Sequence, residues 1–105
     1  MIEQFAHATF LENLNSKFRL LNEGGESIEL ELIEVSELKK ARRQEMFSIV
    51  FRCRTDRVLP QRIYRLEHEN MGQFDLFLVP IRKDAEGVYY EAVFNRVLDS
   101  ADAAL

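Results

Sequence analysis

The chain has 105 residues, of which 47% are hydrophobic and 30% charged, and its formal net charge is −4. This length is typical of one domain with a buried core, and the composition excludes an intrinsically disordered chain. No run of about 18 apolar residues occurs, which excludes a membrane-spanning helix. The single cysteine excludes an intramolecular disulfide and a cysteine-based metal cluster.

The N-terminus lacks the basic start and apolar stretch of a Sec signal peptide, because Glu3 comes early. We therefore expect a cytoplasmic protein, although a dedicated non-Sec export route would leave no mark on this sequence. Residues 1–105 are predicted to form a single domain. Its core should extend over about residues 5–95, and residues 96–105 form a short tail.

A short helix and a first strand are predicted near the N-terminus. Apolar residues at spacings near three and four predict a helix over residues 4–14: Phe5, Ala8, Phe10, Leu11 and Leu14. Alternatively, Thr9 begins the helix as its N-cap, with Glu12 as the reciprocal cap. Alternation over residues 17–21 indicates a strand, and the glycine pair in Asn22–Glu26 indicates a turn.

Two strands are predicted in the middle of the chain. Residues 28–35 alternate, but the apolar phase slips at Leu32 and Ile33, which predicts a β-bulge or the end of the strand. The polar, basic stretch 36–44 is predicted to be a long exposed connection. Residues 47–53 then form a strand, with Cys53 on its core-facing side.

Two further strands and a hairpin connection follow. Pro60 should begin a strand or lie at an edge, and residues 63–68 continue as a strand. Residues 72–95 predict two strands joined by a polar turn. The run from Phe74 to Ile81 is apolar on both faces, which predicts a central strand covered on both sides. Six strands in total predict a mostly β, single compact antiparallel barrel or sandwich with a short N-terminal helix.

The charges are segregated along the sequence. Residues 1–38, 39–65 and 66–105 carry net charges of −6, +7 and −5. The basic segment is a candidate interaction surface for an anionic partner. Its cations could instead pair with carboxylates on neighbouring strands, and we favour this pairing. The candidate surface residues are Lys39, Lys40, Arg42, Arg43, Arg52, Arg54 and Arg65.

The sequence contains no recognisable catalytic set. An enzyme would have to use His68, Glu67 and Cys53, yet no nucleophile with a positioned base can be named. A free cysteine that ends an apolar strand face is usually a core residue. Alternation sends Glu67 and Glu69 to the face opposite His68, so a metal site is not expected. We expect no enzyme activity, no catalytic residues and no cofactor.

Two kinds of binding remain open. A small nucleic-acid-binding β-barrel would use the basic 39–65 segment, with Tyr89, Tyr90 and Phe94 near its arginines. The sequence pI of about 5.2 disfavours this alternative. Protein–protein contact by edge pairing would use exposed strand edges and apolar residues, for which Leu59, Ile63 and Leu98 are candidates.

Several phrases together resemble a family of small bacterial proteins that carries a domain of unknown function. The phrases are FLENLNSKFRL, IELELIEV, RQEMFSIVFR, LPQRIYRLEHENMGQFDLFLVPI and YYEAVFN, which cover roughly residues 5–95. This sequence has Met46 where the family pattern commonly has proline. Genes of the family that this chain resembles often lie beside genes for phage tail-collar or tail-fibre-like proteins. The resemblance therefore implies an accessory, assembly or capping role in a fibre-like or secreted appendage, with a protein partner, and it supplies no catalytic residues. Separately, self-association of the chain as a homo-oligomer is a second option.

The resemblance also gives structural roles to four residues. His68 and Gly72 would shape the turn before the hairpin. Pro80 would end or kink the first strand of the hairpin. Asn95 would close the second strand and hydrogen-bond the backbone of a turn.

Overall fold

The computed structural model describes residues 7–21 and 27–97. These residues form one helix and seven strands: α1 (His7–Glu12), β1 (Lys17–Leu21), β2 (Ser27–Val35), β3 (Lys39–Ala41), β4 (Gln44–Cys53), β5 (Arg62–His68), β6 (Gly72–Asp84) and β7 (Gly87–Val97). The predicted tail over residues 96–105 is wrong at its start, because Arg96 and Val97 belong to β7. Its remaining residues 98–105, with the candidate contact residue Leu98, and the predicted turn at 22–26 lie outside the described residues.

The sheet closes into a six-stranded antiparallel barrel. Its order is β1-β2-β4-β7-β6-β5, and β5 returns to pair with β1. The predicted mostly β fold with an N-terminal helix is therefore confirmed, and the barrel is the correct alternative to the sandwich. The predicted connection over 36–44 is wrong in part, because β3 within it pairs with the first residues of β4.

The C-terminal end of α1 is followed by a turn that is bonded to β2. Asn15 adopts a left-handed conformation with φ 70°, which asparagine tolerates at such positions. Its N–H then bonds the carbonyl of Leu32 at 2.7 Å, which ties the end of the helix to β2. The N-cap alternative was wrong, because Thr9 lies inside α1. Residues 4–6 of the predicted helix lie outside the described part of the chain.

Bulges change the register at two points in the barrel. The pairing of β2 with β4 shifts between Leu32 and Glu34, where the apolar phase slips, so the predicted bulge is confirmed. The pairing of β6 with β7 shifts between Pro80 and Arg82. Proline has no N–H to give to a ladder, so a bulge next to it is physically expected.

The core fills the barrel interior and is covered at both ends. At one end, the buried ring of Phe10 from α1 contacts Phe94, with ring centroids 5.1 Å apart. At the other end, Leu59 from the loop after β4 is 9% exposed. The Leu59 N–H donates to the hydroxyl oxygen of Tyr90 at 3.0 Å. Leu59 is thus a core residue, and its prediction as an exposed contact residue was wrong.

Only one face of β6 is buried. Phe74, Leu76 and Leu78 point into the core, whereas Phe77 and Ile81 are 48% and 45% exposed. The prediction of a central strand covered on both sides was therefore wrong. The outward-facing side chains of this run are apolar as well, and within the described chain they remain exposed.

Among the residues described, no helix is long and apolar enough to cross a bilayer.

Candidate interaction surface

The outer surface of β5, β6 and β7 carries a row of exposed apolar side chains. Ile63 on β5 pairs directly with Phe77 on β6. Val93 on β7 lines the same surface groove as Phe77. Soluble proteins rarely cluster large apolar side chains on one exposed surface without a binding role. We name this surface the apolar face and define it as Ile63, Phe77, Ile81, Val93 and Val97, which are between 45% and 74% exposed.

The outer surface of β1, β2, β4 and the end of β5 is different, because its charged side chains pair across strands. Glu31 on β2 accepts a hydrogen bond from Arg52 on β4 at 2.8 Å. Glu67 on β5 accepts hydrogen bonds from Arg19 on β1, which lower the pKa of that carboxyl. We name this surface the charged face and define it as Lys17, Arg19, Glu29, Glu31, Arg52 and Glu67.

The barrel separates the cations of the basic segment from one another. Arg52 lies on β4 and Arg65 on β5, strands that do not adjoin. Arg54 contacts Glu86 at 3.7 Å, and Arg65 bonds Asp75 at 2.6 Å, which lowers the pKa of that carboxyl. The interpretation that the charges pair with carboxylates on neighbouring segments therefore accounts for these three arginines.

The other four candidate surface residues lie on β3 and its turn into β4. Lys40 approaches Glu45 at 3.9 Å. Lys39, Arg42 and Arg43 are exposed, and no carboxylate in the described residues pairs with them. These cations form a basic hairpin tip instead of a surface that extends to residue 65.

The predicted aromatic–basic surface does not form. Tyr90 points into the core, and Phe94 stacks on Phe47 with ring centroids 4.6 Å apart. Tyr89 does lie beside Arg52 on the neighbouring strand. However, it is 4% exposed, because the guanidinium of Arg82 lies 3.9 Å above its ring. None of these rings is open for a base to stack on.

His68 is buried at the end of the barrel that α1 covers. Its Nδ1 accepts the Asn70 N–H at 3.0 Å, so in the neutral ring Nε2 carries the proton. Nε2 then donates to the Ser16 hydroxyl oxygen at 2.8 Å, and that hydroxyl donates to the Asn13 carbonyl. The imidazole therefore holds two loops together and has the wrong tautomer to take a proton from Ser16. Burial lowers the pKa of His68, which favours the neutral ring.

The three residues of the enzyme hypothesis do not come together. Glu67 is on the charged face and His68 is inside the barrel. Cys53 is buried at the opposite end of the barrel, where it pairs with Val88, and burial raises the pKa of its thiol. Within the described residues, no group of three potential ligands is placed to hold a metal ion.

The other residues singled out by the sequence occupy structural positions. Gly72 has φ 75°, which glycine adopts without strain, and pairs with His68 where the turn enters β6. Pro80 lies at the bulge of β6 without ending that strand, which continues to Asp84. Asn95 Oδ1 accepts from the Gln44 side chain at 2.5 Å, so its described partner is an adjacent strand and not a turn backbone.

The family model described as Domain of unknown function (DUF6916) matches residues 5–94. The chain belongs to the DUF6916 family. No curated protein and no solved structure matches the chain.

Two structurally important residues of this DUF6916 domain, Ser16 and Gly87, were not predicted from the sequence. Ser16 holds His68 across 52 positions of sequence, a distance that no local pattern reveals. Gly87 has φ 139°, and a Cβ on it would lie 2.2 Å from the carbonyl oxygen of Cys53. The sequence shows a glycine after a polar turn at Gly87. It does not show that β4 lies close enough to exclude a side chain there.

Proposed function

We propose that this DUF6916 domain is a non-catalytic protein-interaction or assembly module. The observation that carries the proposal is the apolar face. Phe77 and Val93 are 48% and 65% exposed on adjacent strands that a monomer could have covered or made polar. Apolar side chains in such a row lose contact with water when a partner protein covers them, which favours association by about 25 cal/mol per Å².

The contacts of His68 support a non-catalytic role. A general base needs a free ring nitrogen directed at a reacting proton. In this domain Nδ1 is occupied by the Asn70 amide and Nε2 by the Ser16 hydroxyl, and the ring is 4% exposed. The one buried histidine is therefore used to join two loops.

We further propose that the partner belongs to a phage-tail-fibre-like or secreted bacterial appendage. Support for this narrower role comes only from the resemblance of the quoted phrases to proteins encoded beside such genes. Fibre-like assemblies are built from repeated β-structure, which a barrel with an apolar outer surface could contact. Self-association through the same face is the second option.

A capture experiment with matched variants tests the proposed function. The full chain, Phe77→Glu and Leu11→Glu serve as baits in native host lysate and in co-expression with a tail-fibre-like protein. Leu11 is 48% exposed, as is Phe77, but it lies on α1 and not on the strands of the apolar face. We expect a partner that is retained by the wild type and Leu11→Glu and lost by Phe77→Glu. Equal retention by all three baits would contradict a role for the apolar face.

The basic hairpin tip supports a second candidate, the nucleic-acid-binding barrel. Lys39, Arg42 and Arg43 provide exposed cations without a described carboxylate partner, as phosphate contacts require. Such binding would weaken steeply as salt rises and would be lost in Arg42→Glu/Arg43→Glu. A gel-shift titration at low salt tests it, and no shift with single- or double-stranded nucleic acid would remove this candidate.

A further inference from the structure

A groove of about 420 Å³ lies at the end of the barrel that Leu59 covers. Residues from the 54–61 loop, from the start of β5 and from the adjoining ends of β1 and β2 line most of it. Its floor is apolar, since Leu20 and Leu59 are 2% and 9% exposed and Tyr64 is half-buried. We name it the arginine groove, because three arginines also line it: Arg57, Arg62 and Arg65.

The arginine groove is cationic although the whole chain carries a net charge of −4. Asp75 is the one carboxylate among its described lining residues, and it bonds Arg65 at 2.6 Å. Arg57 and Arg62 are exposed, and no carboxylate in the described residues pairs with either of them. Cations beside buried apolar surface attract an anion more strongly than cations in open water, because the apolar surface reduces dielectric screening. The groove therefore attracts a negative charge beside its apolar floor.

Hydrogen bonds tie the 54–61 loop to the barrel, which holds the arginine groove in shape. The Leu59 N–H donates to the hydroxyl oxygen of Tyr90 at 3.0 Å. The hydroxyl of Tyr64 donates to the Pro60 carbonyl at 2.5 Å, which joins the loop to β5. A ligand that enters a groove already held in this way loses less conformational entropy than one that must order a free loop.

Arg62 is placed to bind a carboxylate. Its guanidinium carbon lies 5.6 Å from the ring centroid of Tyr64. A guanidinium beside an aromatic ring keeps N–H donors at the edge of its plane, and two of them match the two oxygens of one carboxylate. Burial raises the pKa of the Tyr64 hydroxyl, so the phenol stays neutral and does not compensate the charge of Arg62.

Ile63 connects the arginine groove with the apolar face. It belongs to that face, is 65% exposed, and also lines the groove. A protein that covers the apolar face therefore reaches the groove along one continuous surface. There it needs apolar area for the floor and a negative charge for Arg57 and Arg62. A nucleic acid fits less well, because its repeated phosphates need a row of cations and not two beside an apolar floor.

We propose that the arginine groove binds an aspartate or glutamate side chain of the partner protein, while an apolar side chain next to that carboxylate lies on the floor of the groove. Arg62 is the principal contact of the carboxylate, and Arg57 adds a second positive charge. This inference rests on the proposed interaction function, and it specifies the chemistry of the partner segment that reaches beyond the apolar face.

The probe is a peptide selected against the full chain from a displayed library of random sequences, then synthesised. We expect the selected peptides to share an acidic residue next to an apolar one and to slow amide hydrogen exchange in residues 57–65. Arg62→Gln should weaken binding by about tenfold or more. The control Lys83→Gln also removes one exposed cation, but from a part of β6 that does not line the groove, and it should bind as the wild type does. Equal urea midpoints of both variants show that the fold is intact.

A double-mutant cycle tests the direct contact between Arg62 and the carboxylate. A second peptide carries the amide, glutamine or asparagine, in place of the acidic residue and keeps every other side chain. It should bind the wild type about tenfold more weakly, yet in Arg62→Gln the two peptides should bind within about twofold of each other. An equal loss in both proteins, or no enrichment of acidic peptides at all, would overturn the proposal.

Other results would overturn the proposal by identifying a different occupant. Displacement of the peptide by a single-stranded oligonucleotide at about 0.15 M salt would identify phosphates as the preferred ligand. Exchange in residues 57–65 that slows as the protein concentration rises, without peptide, would identify a second copy of the chain as the occupant.

The arginine groove and the interaction function can fail separately. Peptides that bind Arg62→Gln as tightly as the wild type, with partner capture still lost in Phe77→Glu, would overturn the groove and leave the interaction function standing. Equal partner capture by the wild type, Phe77→Glu and Leu11→Glu would instead refute the interaction function through the apolar face.

Discussion

The charged face and the apolar face lie on the same barrel, but they differ in whether their side chains have partners within the chain. On the charged face, side chains such as Arg52 and Glu31 pair with each other across strands, so these charges have partners within the isolated chain. On the apolar face, Phe77 and Val93 remain in water with no described cover. Strand pairing alone therefore does not identify a binding surface, whereas exposed apolar side chains do.

The largest effect should come from a comparison of aromatic truncations inside and outside the barrel. Phe51 is 0% exposed, so Phe51→Ala should lower the free energy of unfolding by about 3–5 kcal/mol. Phe77 is 48% exposed, and Phe77→Ala should lower it by less than about 1 kcal/mol. Urea denaturation of both variants measures the difference. Similar large losses would mean that Phe77 stabilises the fold, which would contradict the assignment of the apolar face as a surface available to a partner.

A smaller effect should follow from the turn that joins the two strands of the apolar face. Gly87→Ala combines a disfavoured φ of 139° with a Cβ 2.2 Å from the Cys53 carbonyl oxygen, so we expect a loss of about 2–4 kcal/mol. Gly72 also has positive φ, but nothing lies within 4 Å of its Cβ position, so Gly72→Ala should cost about 1 kcal/mol. Thermal unfolding compares them. A result in which Gly72→Ala is the more damaging would reject the close contact at Gly87.

Much of the fold could be predicted from the sequence because its signals are local. Alternation located β1, β2, β4, β5 and β7, and the phase slip at Leu32 located a bulge. The strand β3 was missed because Lys39, Lys40 and Ala41 are all exposed and show no alternation. Pairing with β4 determines that strand, and pairing is not visible in three residues of sequence.

The candidate site could be predicted less well because exposure depends on distant parts of the chain. Phe77 and Leu59 are both apolar residues near strands, yet Phe77 faces solvent and Leu59 covers the end of the barrel. Likewise, the arginines of the basic segment are divided among strands by a topology that their order in sequence does not reveal. The distribution of charge along the sequence predicted that the charges could pair. Only the order of strands in the barrel identified Glu31 as the partner of Arg52.

The strand β5 belongs to both faces, since it carries Glu67 near one end and Ile63 near the other, and His68 anchors it. Burial lowers the pKa of His68, and the nearby charge of Glu69 opposes this effect only in part. A folded pKa below the unfolded value of about 6.5 means that the contribution of His68 to stability is present above pH 6.5. That contribution should be lost as the pH falls through the folded pKa.

Urea midpoints at about pH 7.5 and pH 5.5 test the role of His68, with His68→Gln as the matched control. The wild type should lose stability between these values by more than the control does, because glutamine cannot titrate. An identical pH dependence in both chains would show that His68 is not the group responsible. It would also weaken the view that this residue holds β5 in place between the two faces.

The smallest effects should come from the charged face, and they separate its better-buried pair from an exposed one. Arg52 and Glu31 have side chains 18% and 23% exposed, and Nε of Arg52 is buried without a hydrogen-bond partner in the described structure. Glu31→Gln should therefore cost about 1 kcal/mol, since it leaves the guanidinium poorly compensated. Lys17 and Glu29 lie 3.5 Å apart at 57% and 66% exposure, so Glu29→Gln should cost about 0.3 kcal/mol or less. Urea titrations at low and about 1 M salt measure both, and salt should reduce the exposed pair's contribution by the larger fraction. Equal costs for the two variants would indicate that the charged face is held by screened surface attraction throughout, with no anchoring pair between β2 and β4.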